Sequence, residues 1–463
     1  MARKGGGRAR TGCLTCKIRK IKCDEGKPYC TRCTSTGRKC DGYDPPRLPD
    51  STVQPTLLPK GGFQSLNPLR DARALQFFCE VAGPALAKPF NRRVWGSVVL
   101  QCSGSEPAAR HSVIAISSLY EDFHRGGKNL VQLRSNQFAL AHYNAAIRAL
   151  YTTKNEPLVL LVNLLFVCIE SIQGNLALML RHSQHGLQIL QNVQSKYPWI
   201  QEQLGAVFRR LSILPLYFGM ENFMQPPGIE DPLPDSFASF EEAAYFSEGL
   251  LVQTIQFSRL GHHYPYGMGE VILSPEFFTR QAEMKVALER WLSAFAAFKS
   301  QQHNAHESTA PRYASLIHIC LCQIWVQVAH VPGEGAFDQH LDTFRRVTQY
   351  AEYMGRSIYG RNTSTATQAF TFEWGYLPPL VYVFSKCRDL ATRLKALNQL
   401  QKYGPDRESC WDRNVLYIAG KRLIEFEHDV TIDSRGQPIG SVDWLAVPPV
   451  EKRTEDLTSF LPQ

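Results

Sequence analysis

Between about residue 70 and residue 430 the apolar positions recur every three or four residues, and hardly any stretch alternates apolar with polar. That period keeps one face of an α-helix against a core, so the spacing predicts a large all-α domain over 69–430. In "SEPAARHSVIAISSLYEDF" (105–123), Ser105 is placed to cap a helix and Pro107 falls near its first turn. "QFALAHYNAAIRALY" (137–151) sets apolar residues at 140, 143, 147 and 150. "LVLLVNLLFVCIESIQGNLALMLRHSQHGLQIL" (158–190) reads as a helical hairpin turning at Gly174-Asn175. "SFEEAAYFSEGLLVQTIQF" (239–257) opens with a capping box, Ser239 and Glu242. In "SPEFFTRQAEMKVALERWLSAFAAF" (274–298), Met284, Leu288, Trp291, Phe295 and Phe298 share one face, the core face of a bundle or else a coiled-coil seam.

The most apolar run, 158–169, is twelve residues long, contains Asn163 and is followed by Glu170. A membrane span needs roughly 20 apolar residues, so a buried core helix is expected and no membrane partner. Ahead of the helical text, residues 44–68 carry six prolines, which exclude a continuous helix and leave no heptad repeat. Behind it, 431–463 reads as a short extended tail.

Length and a hydrophobic content of 44% allow two or three domains. Charge changes the picture more. Of 51 Lys/Arg and 42 Asp/Glu, residues 1–50 hold thirteen and five, a balance of +8 out of +9. A basic end on a neutral body points to an anionic polymer or surface as partner. Residues 1–10 read as a disordered basic N-terminus without the apolar core of a secretory leader, so an intracellular protein is expected, in a compartment where disulfides are rare.

Six of the thirteen cysteines fall at 13, 16, 23, 30, 33 and 40, as two copies of C-x2-C-x6-C joined by six residues. A disulfide framework would have 15 connectivities and the wrong compartment. C-x2-C instead brings two thiolates round one metal ion. Two tetrahedral zinc ions need eight ligand positions, and six cysteines supply eight if two bridge. The internal symmetry points to the first cysteine of each half, Cys13 and Cys30. The other seven cysteines stand in apolar helical text and read as buried residues.

Residues 10–43, "RTGCLTCKIRKIKCDEGKPYCTRCTSTGRKCDGY", resemble the fungal binuclear zinc cluster DNA-binding domain in the six cysteines, the Lys/Arg run, Asp24, Pro28 and the closing Gly-Tyr. The resemblance implies one zinc on Cys13, Cys16, Cys23 and Cys30 and a second on Cys13, Cys30, Cys33 and Cys40. It implies that Lys20 contacts the bases of a CGG-type triplet and that Lys17 and Lys22 contact phosphate, with Arg19, Arg10 and Lys39 as further DNA-binding candidates.

Charge supports this. Six thiolates and two Zn²⁺ sum to −2, while Lys17, Arg19, Lys20 and Lys22 alone supply four cations, so the surplus faces outward towards phosphates. Residues 14–20 should form a short helix held by the metal, and a helix fits the major groove. Ile18 and Ile21 are expected to form an apolar patch joining the two halves.

Four further stretches, "VVLQCSGSEPAARHSVIAISSLYE" (98–121), "AHYNAAIRAL" (141–150), "NLLFVCIESIQGN" (163–175) and "GYLPPLVYVFSKCRDLATRLKAL" (375–397), are similar to the fungal-specific transcription factor regulatory domain. The expected architecture is therefore a small zinc-stabilised two-helix DNA-binding module (11–43), a Pro-rich linker (44–68), a large all-α regulatory domain (69–430) and the tail. The function that follows is a nuclear, zinc-dependent, sequence-specific transcription factor for RNA polymerase II genes. Double-stranded DNA and the transcription machinery or co-regulators would be its partners. Without a coiled coil behind the module, it binds one triplet or forms a homodimer through the helical domain. The basic N-terminus and the 17–22 run also suit a nuclear localisation signal. The alternative is a zinc-dependent scaffold whose cluster binds protein.

Enzyme signals are lacking. There is no H-E-x-x-H, G-x-S-x-G or P-loop; "HNAHE" (303–307) has the wrong order for an inverted zinc motif, "GMGEVI" (267–272) lacks a third glycine, and His262-His263 reads as a loop pair. No acidic-apolar activation segment stands out, with the tail "TEDLTSFLPQ" (454–463) as a candidate.

Overall fold

The structure is a computed structural model that describes residues 13, 15–16, 19, 21–26, 30–40, 65–87, 93–125, 131–217, 231–261, 273–301, 309–359, 369–373, 375–454 and 457–460. Two compact units divide the chain, Met1–Leu58 and Pro59–Gln463. In the first unit Thr15 and Cys16 are helical and a second short helix, α1, spans Thr31–Thr34. Arg19 stands in a turn, not in a helix, while residues 14, 17, 18 and 20 of the expected helix 14–20, most of the linker 44–68 and most of the proposed localisation signal lie outside the described residues.

Among its described residues the second unit is largely helical. Its helices are α2 (Pro68–Phe77), α3 (Gly83–Leu86), α4 (Val99–Ser105), α5 (Pro107–His124), α6 (Gln137–Leu150), α7 (Glu156–Gln173), α8 (Leu176–Val193) and α9 (Pro198–Tyr217). They continue with α10 (Phe240–Ser258), α11 (Pro275–Gln301), α12 (Thr309–Val328), α13 (Leu341–Tyr359), α14 (Leu377–Lys386), α15 (Leu390–Tyr403) and α16 (Arg413–His428). π-helical turns at Phe78–Ala82 and Val94–Val98 join the first of them.

Local chemistry sets the boundaries. Gly174 takes the left-handed conformation, φ 70°, that ends α7, and the Asn175 side chain accepts the Leu178 N–H to start α8, so the hairpin turns where its sequence predicts. Ser239 accepts the Glu242 N–H at 3.1 Å, but the Glu242 carboxylate reaches back to the Ala238 N–H, one residue beyond the Ser239 N–H of a reciprocal box. Ser105 is not a cap. It closes α4, and Glu106 stands at the N-cap of α5 with Pro107 as the first helical residue.

Two cores fill the body. The first runs from Ala74 to Phe372 and includes Met284, Leu288, Trp291, Phe295 and Phe298, so the α11 stripe is core packing, not a seam between chains. The second is built from α12 to α16. Helix α12 belongs to both: Ile319, Cys322 and Val326 enter the first core, while Ile317, Leu321, Ile324 and Val328 enter the second. Helix α7 has the length and apolarity of a membrane span, but 78% of it is buried inside the body. Outside the N-terminal unit, Cys168, Cys320, Cys322 and Cys387 are buried, and Cys79, Cys102 and Cys410 half-buried.

Two departures from the all-helical expectation lie in the second half. Phe370–Thr371 (β1) pairs parallel with Arg407–Glu408 (β2), which pairs antiparallel with Trp411–Asp412 (β3). Strand β2 carries a buried carboxylate to the start of α14. Pro378 and Pro379 there have no N–H, and Glu408 accepts the N–H groups of Gly375, Tyr376 and Leu377. The second feature is a buried ion network. Arg388 bridges Glu334 (2.5 Å) and Glu427 (2.6 Å), and Arg393 also reaches Glu427 (2.6 Å). Glu427 further accepts the Thr454 N–H at 2.8 Å, which ties the C-terminal segment to α16.

Candidate metal centre and nucleic-acid interface

In each half of the N-terminal unit a helical turn converts C-x2-C into two sulfurs on one side. Cys13 stands just ahead of helical Thr15-Cys16, and its Sγ accepts the Cys16 N–H at 3.4 Å. Cys30 occupies the N-cap of α1 and Cys33 its third residue. The third cysteine of each half returns to the same place by way of the non-helical segments 21–23 and 38–40.

The six sulfurs form two overlapping sets of four, each within 4.8 Å: Cys13, Cys16, Cys23, Cys30 and Cys13, Cys30, Cys33, Cys40. Cys13 and Cys30, 3.5 Å apart, are common to both, and the Cys16–Cys30 separation is 3.7 Å. A tetrahedral zinc with Zn–S bonds of about 2.3 Å sets its sulfurs about 3.8 Å apart, so the spacing fits the metal. None of these contacts is a disulfide.

The surroundings make the same point. Cys13, Cys16, Cys30, Cys33 and Cys40 are buried and Cys23 half-buried, and among the described residues these cysteines are the whole core of the unit. Burial pushes the Cys13 thiol up to about 12 and raises Cys16 and Cys30 as well. Packed sulfurs that resist ionisation are stable as thiolates once a cation replaces their protons. Four soft ligands on each ion would leave no open position, the arrangement of a structural metal site.

Asp24 fastens the two halves together. Its carboxylate accepts the Thr31 N–H (2.9 Å), the Arg32 N–H (3.2 Å) and the Thr31 hydroxyl. These bonds, the Thr31 hydroxyl foremost, hold the carboxyl well below the usual carboxylate range. The Thr15 hydroxyl donates to the Lys39 carbonyl at 3.4 Å, a second tie between halves. The cap was missed because Asp24 lies seven residues from Thr31; the repeated Cys-Asp pair at 23–24 and 40–41 was the available signal.

Lys22, Arg32, Arg38 and Lys39 are exposed, while Arg19 is half-buried with its Nη1 shielded from solvent. Arg10, Lys17 and Lys20 lie outside the described residues, as does Ile18. Ile21 is 40% exposed and so is not part of a buried joint between the halves: the sulfurs and Asp24 make that joint. The "HNAHE", "GMGEVI" and His262-His263 stretches also lie outside the described residues.

Comparison with known proteins agrees. Residues 11–49 match the family described as the fungal Zn(2)-Cys(6) binuclear cluster domain. The chain is similar to the aspercryptin biosynthesis cluster-specific transcription regulator of Emericella nidulans, 32% identical over 217 residues, 40% of this chain and 35% of that protein. It is similar to a transcription regulator of Purpureocillium lilacinum, 27% identical over 247 residues, 47% of this chain and 58% of that one. It is also similar to the white-opaque regulator 2 of Candida albicans, 56% identical over 61 residues, 10% of this chain and 14% of that one. The chain therefore spans about a third to three-fifths of the length of the first two. No solved structure matches. The N-terminal unit is a Zn(2)-Cys(6) binuclear cluster domain that holds two zinc ions, ahead of a largely helical body.

Proposed function

We propose that this protein is a zinc-dependent, sequence-specific DNA-binding transcription factor of the nucleus, acting on RNA polymerase II genes as a regulator and not as an enzyme. The observation that carries the reading is the pair of four-sulfur sets sharing Cys13 and Cys30 inside a matched cluster domain. One zinc sits on Cys13, Cys16, Cys23 and Cys30 and the other on Cys13, Cys30, Cys33 and Cys40. Lys20 reads the guanines of a CGG-type triplet, because a lysine can reach O6 and N7 in the major groove. Lys17 and Lys22 clamp phosphates, with Arg10, Arg19 and Lys39 as further DNA-binding cations nearby. The two long-range relatives, both transcription regulators, support the reading. The domain boundaries are those given above, the helical body regulates the module, and the chain either binds one triplet as a monomer or forms a homodimer through that body.

The test is a titration of the full chain with duplexes with and without CGG at two salt concentrations. About four phosphate contacts would cost about a hundredfold in affinity between roughly 50 and 200 mM salt. Lys20→Ala should lower the preference for CGG by about 1–3 kcal/mol while leaving non-specific binding almost intact. Equal loss on all duplexes would remove Lys20 as reader, and absence of binding with zinc present would sink the proposal.

A further inference from the structure

The C-terminal segment presents an exposed apolar surface. Five large apolar side chains stand exposed within twelve residues: Ile439 (61%), Trp444 (46%), Leu445 (91%), Val447 (54%) and Val450 (64%). The candidate activation segment named from the sequence behaves differently. Leu457 packs against the second core, and Phe460 lies on Phe426 at 5.7 Å.

The exposed segment is held at both ends. Upstream, the Ile439 N–H donates to the Thr431 carbonyl at 2.8 Å, and the Gly436 carbonyl accepts from Asn398 at 3.1 Å. Downstream, Arg453 donates to the Pro448 carbonyl (3.0 Å) and pairs with Asp338 (2.9 Å). In between, Val442 packs on the second core, and the Asp443 carboxylate accepts the Leu445 N–H at 2.9 Å. That bond makes a turn with Trp444 and Leu445 on its outside. A turn ordered before binding loses less entropy when a partner closes on it, and an aromatic beside a large aliphatic suits the anchor of an interface.

Charge selects the occupant. Between Gly436 and Glu451 there is no Lys or Arg, while Asp443 and Glu451 are exposed. Lys452 and Arg453 are committed to Asp429 and Asp338. A second copy across a two-fold axis would set these acids against their own counterparts. Nucleic acid and anionic lipid would be repelled as well. We propose that residues 439–451 are a docking turn for a partner protein whose apolar cleft is rimmed by Lys or Arg. Trp444 and Leu445 fill the cleft, and Asp443 and Glu451 meet the rim. The inference rests on the transcription-factor reading, for which the partner is a co-regulator.

Two full-chain variants test it, Trp444→Ser with Leu445→Ser, and Asp443→Asn with Glu451→Gln; the asparagine keeps an acceptor for the Leu445 N–H. Duplex binding, sedimentation mass, the thermal transition and output from a reporter carrying the duplex the chain selects are measured together. The serine pair should move output towards the no-protein value by about fivefold or more, the charge pair by about twofold, with duplex binding and the thermal transition unchanged. Carbodiimide, which joins carboxylates to lysines in contact, should link Asp443 or Glu451 to a lysine of another protein, and the charge pair should abolish the link. Unchanged output with duplex binding intact overturns the proposal. So do links only to a second copy of the chain, with sedimentation mass halved in the serine pair. If the unaltered chain binds no duplex, the DNA reading falls, and the docking turn then stands or falls on whether the serine pair abolishes the carbodiimide link.

Discussion

The N-terminal module buries cysteines and, among the described residues, no other apolar side chain; the body buries two cores of aromatic and aliphatic residues. One unit is therefore folded by ligand bonds to two ions and the other by removal of apolar surface from water. The contrast has a direct consequence for control. Conditions that strip metal can silence the module while the body stays folded, and damage to the body can leave the metal in place.

The largest effect should come from chelation. Removing both zinc ions withdraws about 10 kcal/mol or more of folding free energy from the module and abolishes duplex binding. Elemental analysis should fall from two zinc ions per chain to none while the body's thermal transition stays put; a body that melts with the module would break the comparison. Next is Glu427→Ala, which leaves Arg388 and Arg393 buried without their shared carboxylate. A loss of about 3–5 kcal/mol in denaturant unfolding of the body is expected, with zinc stoichiometry unchanged.

Acid should sharpen the contrast by blurring it. Burial, foremost, lowers His111, His318 and His428 from 6.5 to about 4, so the folded body keeps them neutral while the unfolded chain protonates them first. Body stability should be fully present above about pH 6.5 and decline as pH falls towards 4. Thiolates also regain protons on acidification, so both units weaken together, whereas a chelator at pH 7 separates them. A pH-independent body between 7 and 4 would contradict these environments. The smallest effect is Asp24→Ala, which removes the acceptor of the Thr31 and Arg32 N–H groups and should be read as slightly faster zinc release with the body unaffected. An unchanged release rate would remove Asp24 from the joint.

How much of this was legible follows the range of each interaction. Six cysteines at fixed spacing announce their site because neighbouring residues carry the whole signal. Gly174-Asn175 and Ser239 were readable for the same reason. Helix α6 was readable as a helix, and Leu140, Tyr143, Ile147 and Leu150 pack half-buried against the first core, but the most deeply buried positions are Ala139, His142, Ala145 and Ala146. His142 is buried for polar contacts, to Asp71 at 3.1 Å and His111 at 2.8 Å, which an apolar period cannot show. Glu408 is likewise invisible locally, since the N–H groups it accepts lie about thirty residues upstream. The short sheet and the exposure of Ile21 also depend on partners distant in the chain.

Helix α12 gives the body a party wall. With Ile319 and Val326 on one side and Ile317 and Ile324 on the other, neither half of the body can finish packing until this helix is in place, and neither can loosen without disturbing the other. The body should then melt as one cooperative unit, and a perturbation that tilts α12 at one core is felt at the next in the same event.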